Sequence, residues 1–233
     1  MSDYNYYNQL FDEYTDQFLK DTKENTWQNI RLKIVHSKNV EKNCNDIAKS
    51  EKLDNESTFT AKLCGLFHDI GRFEQYTKYH TFRDDNSVYH GQLGVEVLNE
   101  TGFLKDLPEK TTQIILKSTY NHGLIQIPEE TKGETLYFSK LTRDADKTDI
   151  YRIVSEYYHQ SGPRNIALEY GLEDTPVISE NIMEDFMNGK LISKSSLKTL
   201  NDFKTMQLSW IFDINFNYTK EMILKNRYLD SIL

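Results

Sequence analysis

AKLCGLFHDIGRF, residues 61–73, is an apolar run that carries His68 and Asp69 side by side. Its pattern reads as a helix, so the imidazole and the carboxylate ride into the protein interior. Two ionisable groups in such a place are costly unless each is paired or bound to a cation. The question for the rest of the chain is which residues come to meet them.

Working outward, a helical pattern runs from Trp27 to about Lys52, with His36, Val40, Cys44, Ile47 and Ala48 on one face. The helix carrying residues 61–73 is expected to start at Ser57 or Thr58, as N-cap, and to end near Gly71. Residues 74–86 read as a loop, and its Tyr76, Tyr79, His80 and Phe82 suit a pocket wall. Asp84, Asp85 and Asn86 read as caps of a helix from Ser87 to about Asn99, which places His90 on a face with Leu93, Gly94, Val97 and Leu98. Pro108 opens a helix over 109–121, ended by Gly123 at C′, and His122 falls in line with Ile115 and Thr119. Residues 134–159 read as a long helix whose Asp146, Ile150 and Ile153 share a side.

At the N-terminus, Tyr7, Leu10, Phe11, Tyr14 and Phe18 mark a packing helix within 4–20. Two further helical patterns, 196–212 and 216–232, follow a loop at 161–165 and a less periodic stretch. Trp210, Phe212, Phe216 and Tyr218 there read as core. Strand signals are confined to 124–127 and 175–179. The expected fold is all-α. It is read as one domain, 1–233, with a ligand-bearing core at about 27–155 and C-terminal helices over 156–233 packed on it.

With 233 residues, 38% of them hydrophobic, the chain can bury a core without disulfides or a structural metal. The net charge of −8 argues against a duplex nucleic-acid partner, because phosphate contacts need clustered Lys and Arg. A local basic pocket for one small phosphate is compatible with it. Cys44 and Cys64 lie in apolar helical contexts without a C-x-x-C pattern and read as reduced core thiols. The acidic, polar N-terminus is no targeting peptide, and no apolar run of about 18 residues exists to enter a membrane. A cytoplasmic protein is expected.

Five helical segments thus each point a metal-ligand type inward: His36, His68 with Asp69, His90, His122 and Asp146. His80 and His159 fall in a loop and near a helix end. A lone buried histidine is more often a satisfied core residue than a ligand. Several at once, with two carboxylates, would cost several kcal/mol per unpaired charge, and a divalent cation removes that cost. Imidazole and carboxylate without thiolate suit Mn, Fe, Zn, Co or Ni. Six donors fit two ions sharing Asp69 better than one.

The order H…HD…D, in His36, His68-Asp69 and Asp146 within RDADKTD, resembles the HD superfamily of metal-dependent phosphohydrolases, which are all-helical bundles. His90 and His122, lying between, resemble its binuclear branch. The HD-x-G-K form of the central motif stands here as HDIGR, with Arg72 in place of Lys. The resemblance implies that His36, His68, Asp69 and Asp146 hold a first ion and that Asp69, His90 and His122 hold a second. A metal-bound hydroxide would attack phosphorus in a small phosphate ester, such as a nucleotide or related metabolite. Arg72 would hold the phosphate, its bland alternative being a surface arginine at a helix C-terminus. Lys147 and Arg164 are weaker phosphate candidates, each more simply a solvated charge. No GYP signature and no HD-x-x-E-D form occurs, and no attached sensory domain is expected. The same ligand order occurs in HD-fold di-iron oxygenases, which is the competing reaction class. A catalytically idle metal- or nucleotide-binding module is the third reading.

Overall fold

The 3.6-residue apolar stripes fold as helices throughout the computed structural model, which describes residues 4–20, 24–159 and 169–232. Arg164 lies outside the described residues. The chain divides into two compact units, Met1–Asp146 and Lys147–Leu233.

The first unit opens with α1, Tyr4–Asp16. Its Tyr7 and Phe11 are fully buried, each worth about 1.5–3 kcal/mol of apolar burial. Phe11 packs against Phe67 and Phe73, with ring centroids 6.4 and 5.9 Å away. The long α2, Glu24–Ser50, buries Ile30, Val40, Cys44, Ile47 and Ala48 on the same stripe as His36.

Next, α3 spans Asn55–Phe67. It starts earlier than Ser57 because the Asp54 side chain accepts from Ser57 N at 2.7 Å and acts as the N-cap. It crosses α2 at Gly65, where a Cβ would stand 2.7 Å from Cys44 Sγ and 2.8 Å from Glu41 Cα. Only glycine lets the two backbones come so close.

The HDI tripeptide is a turn between helices, which corrects the expectation of one helix through Gly71. Ile70 N donates to Phe67 O and Arg72 N to Asp69 O, the i→i+3 bonds of a tightened turn. A second helix, α4, Gly71–Tyr79, then occupies half of the stretch expected to be loop. It was hidden because its buried face is mixed: Phe73 and Tyr76 share it with Arg72 and Gln75. Tyr76 and Phe82 are buried against each other at 4.5 Å, not lining an open wall.

The remaining helices of this unit are α5, His90–Thr101, and α6, Glu109–Asn121, followed by α7, Gly133–His159, which passes the division at 146/147. At the end of α6, His122 is the C-cap, and Gly123 does not take the left-handed conformation expected of it.

In the second unit, α8 (Glu180–Met187), α9 (Leu200–Ser209) and α10 (Asn217–Lys225) carry two apolar clusters. One gathers Ile182, Ile192, Leu197, Phe203 and Met206, the other Tyr151, Val154, Ile223 and Ile232. Thr199 and Asp202 form a capping box that starts α9 at Leu200. Of the C-terminal aromatics, Phe216 is buried while Phe212 is 43% exposed, so core holds for one and not the other. No strand forms at 124–127 or 175–179 among the described residues. Backbone carbonyls in both stretches are taken by side chains: Leu124 and Ile125 by Arg143, Thr175 by Asn201 and Val177 by Thr199.

Candidate metal centre

All six predicted ligands lie in the first unit, and their donor atoms converge. His36 Nε2 stands 3.1 Å from Asp146 Oδ1 and 3.2 Å from His68 Nε2. Both imidazole nitrogens also lie 3.6 Å from Asp69 Oδ2. The other oxygen of Asp69 faces a different pair. Asp69 Oδ1 is 3.3 Å from His122 Nε2 and 3.5 Å from His90 Nε2, and these two nitrogens are 3.0 Å apart. The two oxygens of one carboxylate therefore face two different pairs of imidazole nitrogens. His36, His68 and Asp146 form a donor triplet able to hold a metal ion, as do His68, Asp69 and His122.

Hydrogen bonds behind the rings decide which nitrogen is free. His68 Nδ1 donates to Gly65 O and His122 Nδ1 to Thr119 O, each at 2.7 Å. His90 Nδ1 donates to Asp84 Oδ2, also at 2.7 Å. Carbonyl and carboxylate oxygens only accept, so Nδ1 carries the hydrogen in all three and Nε2 presents a lone pair in the neutral ring. The facing Nε2 atoms of His90 and His122 stand 3.0 Å apart, and a cation between them could accept a lone pair from each.

The electrostatics keep two of these rings from taking up a second proton. Burial pushes His90 down to about 3, helped by Arg72 and opposed by Asp84. Burial likewise pushes His68 down to about 4 against the pull of Asp69 and Asp146. Burial alone would raise the Asp69 carboxyl, but Lys33, His68, His122 and Arg72 together hold it well below the usual carboxylate range. Asp146 is likewise held low, against burial, by His36 and His68. Neutral His68 and His90 beside ionised Asp69 and Asp146 are a donor set that fits divalent ions.

Several supporting residues were not legible beforehand. Lys33, one turn before His36 on α2, places Nζ 2.7 Å from Asp69 Oδ2 and keeps 17% of its side chain exposed. Asp84 is no helix cap: α5 starts at His90 without a side-chain cap, and Asp84 binds His90 instead. Asp85 pairs with Arg83. Arg143, on α7, donates to the carbonyls of Asn121, His122, Leu124 and Ile125 and so fixes the end of α6 that bears His122. Gly123 makes room, since a Cβ there would lie 2.5 Å from His90 Cε1.

Arg72 is neither at a helix C-terminus nor on the surface. It sits in the first turn of α4, 5% exposed, donating to Gln75, Phe82 and Asp84. Lys147 is no solvated charge either, being 7% exposed and paired with Asp213 in the second unit. His80 takes the left-handed C-cap of α4, and His159 bonds Ser155 O near the end of α7.

The family model of the HD domain matches residues 34–151, half of the chain, and takes in every ligand candidate from His36 to Asp146. No curated protein and no solved structure matches the chain.

Proposed function

The chain belongs to the HD domain family, and from that footing we propose that it is a metal-dependent phosphohydrolase cleaving a small phosphate ester, of the nucleotide or related metabolite class. The family is largely one of metal-dependent phosphohydrolases. The observation that carries the reading is the division of Asp69, whose Oδ2 faces His36 and His68 while Oδ1 faces His90 and His122.

In this reading His36, His68, Asp69 and Asp146 hold one ion, and Asp69, His90 and His122 hold the other. When bound, such ions supply Lewis acidity toward phosphoryl oxygens and make water more acidic. Asp69 keeps its charge because Lys33 and the histidines surround it, so both oxygens remain available as donors. Gly65 O, Thr119 O and Asp84 keep three imidazoles in the one tautomer that presents Nε2. Lys33 combines an exposed portion with a position beside the ligands, and its role is to attract and orient the anionic phosphate. Mn, Fe, Zn, Co and Ni all suit the donor types.

The test is a panel of phosphomonoesters and phosphodiesters offered to metal-reconstituted protein with and without oxygen. Hydrolysis that is equal under both conditions and abolished by chelation is the expected result. Turnover that requires two irons and oxygen would place the chain with the di-iron oxygenases. Tight metal binding with no turnover on any ester would make it an idle binding module.

A further inference from the structure

A buried chain of hydrogen bonds outside the ligand set ends on His90. Arg72 Nη1 donates to Gln75 Oε1 and Phe82 O, each at 2.7 Å, and to Asp84 Oδ1 at 2.9 Å. Gln75 Nε2 donates to the same Asp84 oxygen at 2.8 Å, to Ser87 Oγ at 2.9 Å and to Val88 O at 2.8 Å. The second oxygen of Asp84 receives His90 Nδ1 at 2.7 Å. Arg72 Nε also stands 3.4 Å from Asp69 Oδ1, the oxygen that faces His90 and His122.

Two things follow from the chemistry of this chain. A guanidinium that is 5% exposed and donates to three acceptors through Nη1 cannot turn to a substrate phosphate without giving up its ion pair with Asp84. And a carboxylate on Nδ1 of a ligating histidine fixes its tautomer and ring plane and raises its basicity. Arg72 and Gln75 together set the direction of that carboxylate.

We propose that Arg72 is a positioning residue: acting through Asp84 on His90, and directly on Asp69 Oδ1, it governs occupancy of the His90–His122 side of the centre and does not contact substrate. This rests on the two-ion reading above. It makes α4 together with the segment joining it to α5, which contribute no ligand of their own, the determinant of whether the second ion is retained.

The experiment is titration of Mn²⁺ into metal-free protein, followed by calorimetry and by electron paramagnetic resonance, which separates a coupled manganese pair from a lone ion. Wild type is expected to take up two ions and show the coupled signal. Asp84→Ala and Arg72→Ala are expected to bind the second ion about 10–100-fold more weakly, losing the coupled signal while the first ion keeps its wild-type affinity. Arg72→Lys should behave like Arg72→Ala, because an ammonium lacks the guanidinium fork. Asp85→Asn, whose carboxylate pairs with the Arg83 side chain and makes none of these bonds, should leave both ions bound. Should Asp84→Ala fail to fold, Asp84→Asn preserves its size and carries the same expectation in milder form.

If the variants bind two ions as tightly as wild type, the relay is overturned. So it is if Arg72→Ala leaves both ions in place and raises KM alone, or if both ions weaken equally in a protein with native circular dichroism. A wild type that binds one ion overturns the two-ion reading itself, and the relay falls with it. Wild type with two ions and unaffected variants overturns the relay alone.

Discussion

Asp69 turns its two oxygens toward different imidazole pairs. Asp69→Ala is therefore expected to abolish metal content and turnover together, with the helical far-ultraviolet signature retained; full metal loading in that variant would remove it from the centre. Lys33 carries a different expectation. Lys33→Met should raise KM for anionic esters by about tenfold, equivalent to about 1.4 kcal/mol, with metal still bound. A selective fall in metal affinity would show instead that Lys33 serves Asp69 and not substrate. The six candidate ligands could be singled out in the sequence because each falls in an apolar, helix-like pattern, where an ionisable group has no ordinary reason to be. Lys33, Asp84, Gln75 and Arg143 could not, because their partners are distant in sequence. Asp84 lies in a polar stretch where capping explains an aspartate just as well, and only the geometry shows it bonded to His90.

At the scale of elements, the close crossing of α2 and α3 brings His36 within reach of His68. The crossing depends on Gly65, whose carbonyl also orients His68. Gly65→Ala would press a methyl into the α2 backbone and is expected to cost about 1–3 kcal/mol, read as a lower midpoint in chemical unfolding. An unchanged midpoint would mean that the crossing is looser than its geometry implies. The spans of α2, α6 and α7 follow their apolar periodicity closely. The HDI turn and α4 did not show, for a physical reason. His68 and Ile70 keep right-handed helical backbone values, so nothing in the composition of the turn interrupts the pattern. The buried face of α4 holds Arg72 and Gln75, which periodicity counts as polar and outward.

Taken whole, the described residues form an all-helical protein of the HD domain family, with no helix long and apolar enough to cross a membrane. Its stability without metal should depend on pH in a defined direction. His68 and His90 bind protons at about 4 and about 3 in the folded state, against 6.5 for an unperturbed imidazole. Between those values the unfolded chain holds more protons, so stability rises with pH through the window and is lost as pH falls from 6.5. The lowered carboxyls of Asp69 and Asp146 add a further loss below their ordinary value of 3.8. Thermal melts of chelated protein at stepped pH check this, and a flat profile from 6.5 to 4 would contradict the buried, neutral state of the imidazoles.

A two-ion phosphohydrolase centre pivoted on Asp69 can be checked by one paired measurement. Protein purified without chelator is analysed for its elements, and the same sample is assayed anaerobically for phosphate-ester hydrolysis. Two transition-metal ions per chain are expected, with hydrolysis that disappears when they are removed. A chain that carries no more than one ion, or two ions and no esterase activity without oxygen, would contradict it.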